Sequence, residues 1–472
     1  MRIIFYFIGF SLLTTVCHAQ KWVDTLYQTT TYMNSTYGYA NDFAGNLRTL
    51  GIDVTIPVGD APPPCGRPLL IFVHGGGFTG GSRNDGTAQA IRRDFAKRGY
   101  VVASPSYRLG YFHPNNSVHC NVNNYWDCLN TQDTMEWSRA IYRAMQDVKG
   151  AIRYMVKNSQ NFNIDSRNVF LIGESAGAFT VLNVAYLDDP SEKPADCGSI
   201  PDALAPNAIY ENTCIQGYNF DTSIALMQLA RPDLGSIDGD LNMAYNQYRI
   251  KGVGSFYGAI GKNYFQTGPN NQARLYAYHQ PNDLLVPYTT GKIYKGFSDC
   301  AVTYAGCQSI VNRPIVMGSK SIRNLLSQAT PGTVPLMQFD STLNFTDCLG
   351  QIANPATNGH SIDNYWLRST NIAKFFAAAI DTTGNCNLGL NSVPPVVYQI
   401  QIVPNPNQGQ FKIEGIHQDK ILGLAVYNTY GQKVKSQFSF GQVHLTDQIA
   451  AGIYIIQVKT DQGTYYQRFQ IH

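Results

Sequence analysis

The chain has 472 residues, which is longer than a typical single domain, so at least two domains are expected. A hydrophobic content of 44% and a charged content of 14% describe a globular protein with a large core. The formal net charge of +3 on so long a chain gives no reason to expect nucleic acid or another polyanion as a partner.

The N-terminal segment 1–19 has the pattern of a secretory signal peptide. Arg2 provides a small positive region, an apolar stretch runs from Ile3 to Leu13, and Cys17-His18-Ala19 offers a cleavage site. A lipoprotein anchor at Cys17 is the alternative, but Val16 stands where that signal needs a small residue. No later stretch reaches the roughly 18 apolar residues of a membrane helix. We therefore expect an exported protein without a membrane span.

Between residues 50 and 380, apolar segments typical of strands alternate with amphipathic segments typical of helices. Strands are predicted at 50–57, 69–74, 100–104, 169–172, 252–257, 275–279 and 334–339, and helices at 86–98, 134–158, 175–187, 319–328 and 363–380. This alternation predicts an α/β fold, a mostly parallel sheet covered by helices on both faces. Functional side chains are expected at the carboxyl ends of its strands.

The strand predicted at 69–74 runs directly into a glycine-rich segment. Leu69 to Val73 is an unbroken apolar run, typical of a strand buried on both faces, and His74-Gly75-Gly76-Gly77-Phe78 follows it. Glycines allow bare N–H groups to approach a carbonyl oxygen that becomes negative during nucleophilic attack, which lowers the barrier to reaction. Alone this motif is weak evidence, because the chain has 42 glycines.

The strand predicted at 169–172 runs into Gly173-Glu174-Ser175-Ala176-Gly177, which fits the pattern Gly-x-Ser-x-Gly. This pattern puts a serine on a tight strand-to-helix turn with its hydroxyl exposed. The apolar segment 176–187 predicts a buried helix, whose N-terminus favours developing negative charge. The alternative is an ordinary glycine-rich turn. We favour the nucleophile because strand, motif and helix occur together.

Two insertions interrupt the alternation, at about 188–248 and about 291–313. They are expected either to form a substrate-binding cap or to be surface decoration. Of the ten cysteines, Cys17 lies in the signal peptide and nine remain. In an oxidising compartment, cysteines close in sequence predict disulfides within loops. These pairs are Cys120 with Cys128, Cys197 with Cys214 and Cys300 with Cys307, and we assign the unpaired thiol to Cys65.

A serine hydroxyl needs a base to take its proton, and the base needs an acid to hold its tautomer. Between Ser175 and the C-terminal segment the histidines are His279 and His360. His360 closes a glycine-containing turn after the last predicted strand, so we predict it as the base, with His279 as the fallback. Asp283, in the loop after the strand at 275–279, is the predicted acid, with Asp340 as the substitute. The alternative for Asp283 is an ordinary turn aspartate.

The composition changes near residues 392–396. From Tyr398 to His472 the chain has only short alternating strands separated by turn signals, which predicts a small all-β sandwich. We therefore divide the chain into a signal peptide (1–19), a catalytic domain (20–386), a linker (387–397) and a C-terminal domain (398–472).

This C-terminal segment resembles the sorting domain of type IX secretion. The resemblance rests on Val403-Pro404-Asn405-Pro406 with Gly409 and Phe411, on Val426-Tyr427-Asn428 with Gly431-Gln432, and on Ala451-Gly452-Ile453-Tyr454. It implies export by that secretion machinery across both membranes of a Gram-negative bacterium, with the domain usually removed on arrival. A carbohydrate-binding or adhesive module is the rival interpretation.

The upstream motifs resemble the α/β-hydrolase superfamily, near its hormone-sensitive-lipase-like and type-B carboxylesterase branches. The matching segments are His74 to Phe78, Tyr107-Arg108-Leu109-Gly110, Gly173 to Gly177, Asp283-x-x-Val286-Pro287 and Gly359-His360. The resemblance implies that the oxyanion donors are the amides of Gly76, Gly77 and Ala176. Glu174 is like the type-B branch, and Ala178 replaces a glycine usual in the lipase-like branch.

The combined prediction is a secreted, carboxylesterase-type serine hydrolase acting on an ester substrate. Ser175 attacks the acyl carbon, His360 relays the proton and Asp283 orients His360, without a metal or organic cofactor. The segment from Asp238 to Asn242 has calcium-loop spacing but lacks the glycine and the distal glutamate of such a loop. The alternatives are a serine peptidase of the same fold, which the three-glycine motif disfavours, and a non-catalytic adhesion or binding protein.

Overall fold

The computed structural model describes residues 20–111, 134–199, 231–262, 264–265, 273–297, 299–300, 313–330, 332–343, 347–353, 359–382, 400–439, 441–446, 449–460 and 463–472. The predicted signal peptide and linker lie outside these residues. None of the helices in these ranges combines the length and the apolar character needed to cross a membrane.

The upstream domain is built on one large sheet. Its strands are β1 (Gln28–Asn41), β2 (Leu47–Val58), β3 (Arg67–Val73), β4 (Val101–Pro105), β5 (Ile164–Glu174), β6 (Ile250–Phe256), β7 (Ala259–Gly261), β8 (Arg274–Tyr278), β9 (Thr290–Lys292), β10 (Ile315–Gly318) and β11 (Met337–Asp340). Eight of them form a sheet in the order β1-β2-β4-β3-β5-β6-β8-β11. β1 pairs antiparallel with β2, and β2 pairs antiparallel with β4. The other six strands of this sheet run parallel to one another, and they are β4, β3, β5, β6, β8 and β11. The predicted mostly parallel sheet is confirmed.

Helices cover both faces of this sheet. They are α1 (Gly86–Lys97), α2 (Thr134–Lys157), α3 (Ser159–Phe162), α4 (Ala176–Tyr186), α5 (Ser319–Gln328), α6 (Cys348–Ala353) and α7 (Tyr365–Ala377). Alternate side chains of β3 explain the two layers. Leu69 and Ile71 pack with residues of α2 and α4, whereas Leu70 and Phe72 pack with residues of α1 and α7. All four side chains are fully buried, as expected for a strand between two helical layers.

Some strands were not predicted. β1 is rich in threonine and tyrosine, with no apolar run, and much of it is exposed at the sheet edge. The strands β7, β10 and β9 form a separate antiparallel sheet, and each has only three or four residues. A segment of three or four residues is too short to show the alternation of apolar and polar residues that predicts a strand.

The C-terminal domain is all-β, as predicted. Its strands are β12 (Gln401–Val403), β13 (Gln410–Glu414), β14 (Ile421–Asn428), β15 (Lys433–Val434), β16 (Ser436–Ser439), β17 (Gln442–Leu445), β18 (Gly452–Thr460) and β19 (Gly463–Ile471). They form two antiparallel sheets, in the orders β12-β13-β17-β16 and β15-β14-β18-β19. One apolar cluster, which includes Phe411, Val443, Ile456 and Phe469, draws side chains from both sheets.

The cysteine pairing differs from the prediction. Cys300 forms its disulfide with Cys348, 48 residues away, and not with Cys307. Cys197 is a buried free thiol and does not pair with Cys214, and Cys65, assigned above as the free thiol, is disulfide-bonded. Closeness in sequence does not decide this pairing, because the fold brings Cys348 next to Cys300. The proposed pair of Cys120 with Cys128 lies outside the described residues.

Candidate active site

Ser175 lies on the turn between β5 and α4. The strand ends at Glu174 and the helix begins at Ala176, so the serine has a φ of 51° and a ψ of −121°. This backbone conformation is strained for a residue with a Cβ atom, and such strain is typical of a nucleophile on a sharp strand-to-helix turn. The amide of Ser175 donates to the carbonyl oxygen of Phe256 at 3.0 Å, which ties the turn to the end of β6.

The two glycines of the motif allow β3, β5 and α4 to meet at this turn. A Cβ atom at Gly177 would lie 2.0 Å from the carbonyl oxygen of Val73, and one at Gly173 would lie 2.3 Å from that of Gly177. Both obstacles are backbone atoms, so a side-chain rotation would not relieve them. The motif therefore has a steric reason that is independent of any chemistry at Ser175.

We expect Gly177→Ala to lower the free energy of unfolding by about 3 kcal/mol, the upper range for overpacking, because the helix must move away from the sheet. The midpoint of urea denaturation measures the change. Gly86→Ala is the matched control, since a Cβ atom at Gly86, the first residue of α1, meets nothing within 4 Å. Equal midpoints for the two variants would contradict the steric account.

His360 lies against the serine. Its Nε2 is 2.8 Å from the Oγ of Ser175. The preceding Gly359 packs on the loop of the predicted acid, where a Cβ atom would lie 2.7 Å from the backbone carbonyl of Asn282. Glycine at this position thus lets the two loops lie close enough for His360 to reach both Ser175 and the acid loop.

Asp283 holds the other side of the His360 ring. Its Oδ2 accepts a hydrogen bond from Nδ1 of His360 at 2.8 Å, and its Oδ1 accepts from the amides of Leu285 at 2.8 Å and Val286 at 3.0 Å. Burial alone would raise the pKa of Asp283, but the charges and hydrogen bonds of His360 and His279 outweigh it and lower the pKa to about 2. The carboxylate therefore contributes stability above its unfolded pKa of about 3.9, and this is lost as the pH falls towards about 2.

His279 lies on the acid and not on the serine. Its Nε2 is 3.1 Å from Oδ2 of Asp283 and 3.2 Å from the carbonyl oxygen of Val286, so this nitrogen faces two acceptors and carries the proton. Its Nδ1 is 3.1 Å from the Oγ of Ser319, at the start of α5. The side chain is completely buried. The fallback base of the sequence analysis is thus a second donor to Asp283.

Asp340, the substitute acid, belongs to a different network. Its Oδ2 accepts hydrogen bonds from the Tyr276 hydroxyl at 2.6 Å and from Nδ2 of Asn371 at 2.7 Å, and it pairs with Arg368 at 3.2 Å. These contacts join the end of β11 to α7 and β8. These partners account for the position and the charge of Asp340 without a role in catalysis.

The glycine-rich segment lies beside the serine. His74 is buried, its Nδ1 donates to the Gly75 carbonyl oxygen at 2.8 Å, and burial lowers its pKa. Gly76 and Gly77 have φ values of 113° and 61°, which favour glycine. Gly77, Ser175 and Ala176 line one cavity, and Gly76 is not among the residues that line it.

Tyr257 is a residue at the site that the sequence did not reveal. Its ring centroid is 4.5 Å from that of His360, and its hydroxyl donates to Oε2 of Glu174 at 2.9 Å. Burial raises the pKa of Glu174, and the hydrogen bond from Tyr257 opposes that rise. No local pattern marks Tyr257, because it follows β6, 82 positions after Ser175.

The segment from Asp238 to Asn242, which has calcium-loop spacing, makes contacts with other parts of the protein. Asp238 forms an ion pair with Lys149 at 3.0 Å, and Nδ2 of Asn242 donates to the carbonyl oxygen of Tyr37 at 3.0 Å. Across the described residues, no group of three or more histidine, cysteine or carboxylate side chains could hold a metal ion.

Two family models match the chain. Residues 70–205 match the alpha/beta hydrolase fold, and residues 401–472 match the secretion system C-terminal sorting domain. The first match includes the glycine-rich segment and the serine turn, and the second covers the described all-β domain. Both resemblances drawn from the motifs are confirmed.

Similar proteins share a short segment with the chain. The neuroligin-like protein glit-1 of Caenorhabditis elegans is 29% identical over 114 residues, 24% of this chain and 13% of glit-1. The liver carboxylesterase B-1 of Rattus norvegicus is 31% identical over 114 residues, 24% of this chain and 17% of that enzyme. The chain therefore spans less than a fifth of the length of these relatives. Among solved structures, a truncated carbohydrate esterase from gut microbiota has a TM-score of 0.39 and 14% identity, covering 75% of this chain and 98% of its own.

Proposed function

We propose that this chain is a secreted, carboxylesterase-type serine hydrolase that cleaves carboxylic esters through an acyl-enzyme on Ser175. The observation that carries the proposal is the hydrogen-bonded series from Ser175 Oγ to His360 Nε2 and from His360 Nδ1 to Asp283 Oδ2, each at 2.8 Å. A serine, a base and an acid in this arrangement can activate a hydroxyl for attack on an acyl carbon. The matched fold segment and the carboxylesterase relatives support the same chemistry.

In the proposed reaction, Nε2 of His360 takes the proton of Ser175 as Oγ bonds to the acyl carbon. Asp283 keeps the proton of His360 on Nδ1 and stabilises the imidazolium that forms. The tetrahedral intermediate collapses when the alkoxide leaves and takes the proton from Nε2. A water molecule, deprotonated by Nε2 of His360, then attacks the acyl carbon. The bond from that carbon to Oγ of Ser175 breaks, Oγ takes the proton from Nε2, and the carboxylic acid is released.

The proposed oxyanion donors are the backbone amides of Gly77 and Ala176, with Gly76 as the third. The shared cavity of Gly77, Ser175 and Ala176 supports the first two. Ala176 is also the first residue of α4, and an amide at a helix N-terminus favours a developing negative charge.

We also propose export by type IX secretion to the cell surface or beyond. The match of residues 401–472 to a secretion system C-terminal sorting domain supports this location. The all-β domain would engage the secretion machinery, and the predicted signal peptide would direct the first export step.

Labelling with a fluorophosphonate tests the function, because this reagent forms a covalent bond with an activated serine. We expect one label per chain, found on the peptide that contains Ser175, together with hydrolysis of p-nitrophenyl esters. Peptide anilides tested in parallel address the peptidase alternative. The absence of both labelling and ester hydrolysis would refute the function. Faster cleavage of anilides than of esters would favour the peptidase.

A further inference from the structure

The cavity beside Ser175 is small and apolar. Its volume is about 20 Å³, which is room for one water-sized group. Its other lining residues are mainly aromatic and aliphatic, and they include Trp137, Phe179, Leu285, Ile293 and Tyr294.

The position of this cavity identifies the part of an ester that would enter it. The cavity is lined by Ser175 and by the proposed oxyanion residues Gly77 and Ala176, but His360 is not among its lining residues. The leaving oxygen must lie at Nε2 of His360 to receive a proton, so the alcohol lies on the histidine side. With the oxyanion at the amides of Gly77 and Ala176, the acyl chain is the substituent left to face the apolar lining residues Trp137, Phe179 and Ile293.

The walls of the cavity are packed against one another. The ring of Trp137 meets the rings of Phe78 and Tyr294 edge to face, with centroids 5.6 Å and 5.8 Å apart. The guanidinium of Arg313 lies 5.1 Å from the centroid of Trp137 and 5.6 Å from that of Tyr294. Trp137, Phe78 and Tyr294 are buried. A longer acyl chain would have to displace several interlocked side chains, which close-packed interiors resist.

We propose that the substrates are acetyl esters, with the methyl group of the acetyl in this cavity and with larger alcohols on the side of His360. This inference rests on the proposed function, since it takes Ser175 as the nucleophile and His360 as the proton donor to the leaving group. Ile293 and Phe179 are then specificity-determining residues that limit the length of the acyl chain.

A series of p-nitrophenyl esters from acetate to octanoate tests the proposal. We expect kcat/KM to be highest for acetate, about tenfold lower for butyrate and about a hundredfold lower for octanoate, because each added methylene exceeds the space available. Glycerol triacetate and glycerol tributyrate repeat the comparison with an aliphatic alcohol. The same order of acetate over butyrate is expected.

Variants that enlarge the cavity provide the second part of the test. Ile293→Ala, and the milder Phe179→Leu should the first variant fold poorly, are expected to raise the ratio of butyrate to acetate kcat/KM about tenfold. Ile322→Ala is the matched control, because Ile322 is buried in the same core cluster, on α5, and does not line the cavity. Its ratio is expected to equal that of the unmodified protein.

The outcomes separate this inference from the proposed function. If Ser175 is labelled and esters are hydrolysed, but butyrate or longer esters react as fast as acetate, the cavity is not the acyl site and the function stands. The inference is also overturned if Ile322→Ala changes the ratio as much as Ile293→Ala does. If no ester is hydrolysed and Ser175 is not labelled, both the function and this inference fail.

Discussion

Ser175→Ala is expected to lower kcat/KM for p-nitrophenyl acetate by about 10⁴-fold or more, because the variant lacks the hydroxyl proposed to form the acyl-enzyme. The residual rate would come from binding and from the proposed oxyanion donors alone. Steady-state kinetics on the purified variant and on the unmodified protein, prepared in parallel, measure the change.

The substitution should leave the fold intact. The hydroxyl of Ser175 makes no capping hydrogen bond to α4, and its side-chain contact is with His360 Nε2. Alanine keeps the Cβ atom that already tolerates a φ of 51°. We therefore expect the denaturation midpoint to change by less than the equivalent of about 0.5 kcal/mol. Equal rates for the two proteins would exclude the serine mechanism.

Asp283→Asn is expected to lower kcat/KM by about 10⁴-fold while the fold persists. The reason lies in how the acid is held. The amides of Leu285 and Val286 both donate to Oδ1, so the amide oxygen of an asparagine must take that position. Its NH₂ group then faces Nδ1 of His360, where Oδ2 accepts a hydrogen bond in the native protein.

His360 would respond by exchanging its tautomer. With the proton moved to Nε2, the ring would present an N–H to the oxygen of Ser175 and could not take the serine proton. The loss would therefore appear in kcat, measured with p-nitrophenyl acetate at saturating concentration. An NMR spectrum of the imidazole nitrogens of His360 would report the tautomer directly.

Asp340→Asn is the control for this prediction. Asp340 is a carboxylate at the same edge of the sheet, but its partners are Tyr276, Asn371 and Arg368. Its loss is expected to lower stability while kcat falls less than about tenfold, because a residue that acts only on packing leaves the proton transfers unchanged. A larger loss of kcat for Asp340→Asn than for Asp283→Asn would assign the acid to Asp340.

The sequence predicts the centre of this fold better than its edges, for a physical reason. The runs at 69–73 and 169–172 are apolar throughout because the strands they form are buried between two helical layers. The edge strand β1 has no such run, because much of it faces solvent, where its threonines and tyrosines can lie without an apolar neighbour.

Within the candidate site, the order of residues along the chain identifies the three central side chains better than any local motif does. Ser175 is predicted after the strand at 169–172, Asp283 after the strand at 275–279 and His360 after the last strand. The structure places His360 within hydrogen-bond distance of both Ser175 and Asp283. The cysteine pairs and the contact of Tyr257 with His360 depend on which loops meet in space. One-dimensional spacing carries no information about such meetings.

Because His279 also bonds to Asp283, the carboxylate has two kinds of partner, those from its own loop and strand and His360 from a separate segment. Asp283 is held by His279, which is buried, and by the amides of Leu285 and Val286, and these partners belong to its own loop and strand. Only His360 arrives from a separate loop, and its side chain is 10% exposed. The carboxylate would thus keep its orientation if the His360 side chain turned away, while the loss of the His360 interaction would raise its pKa.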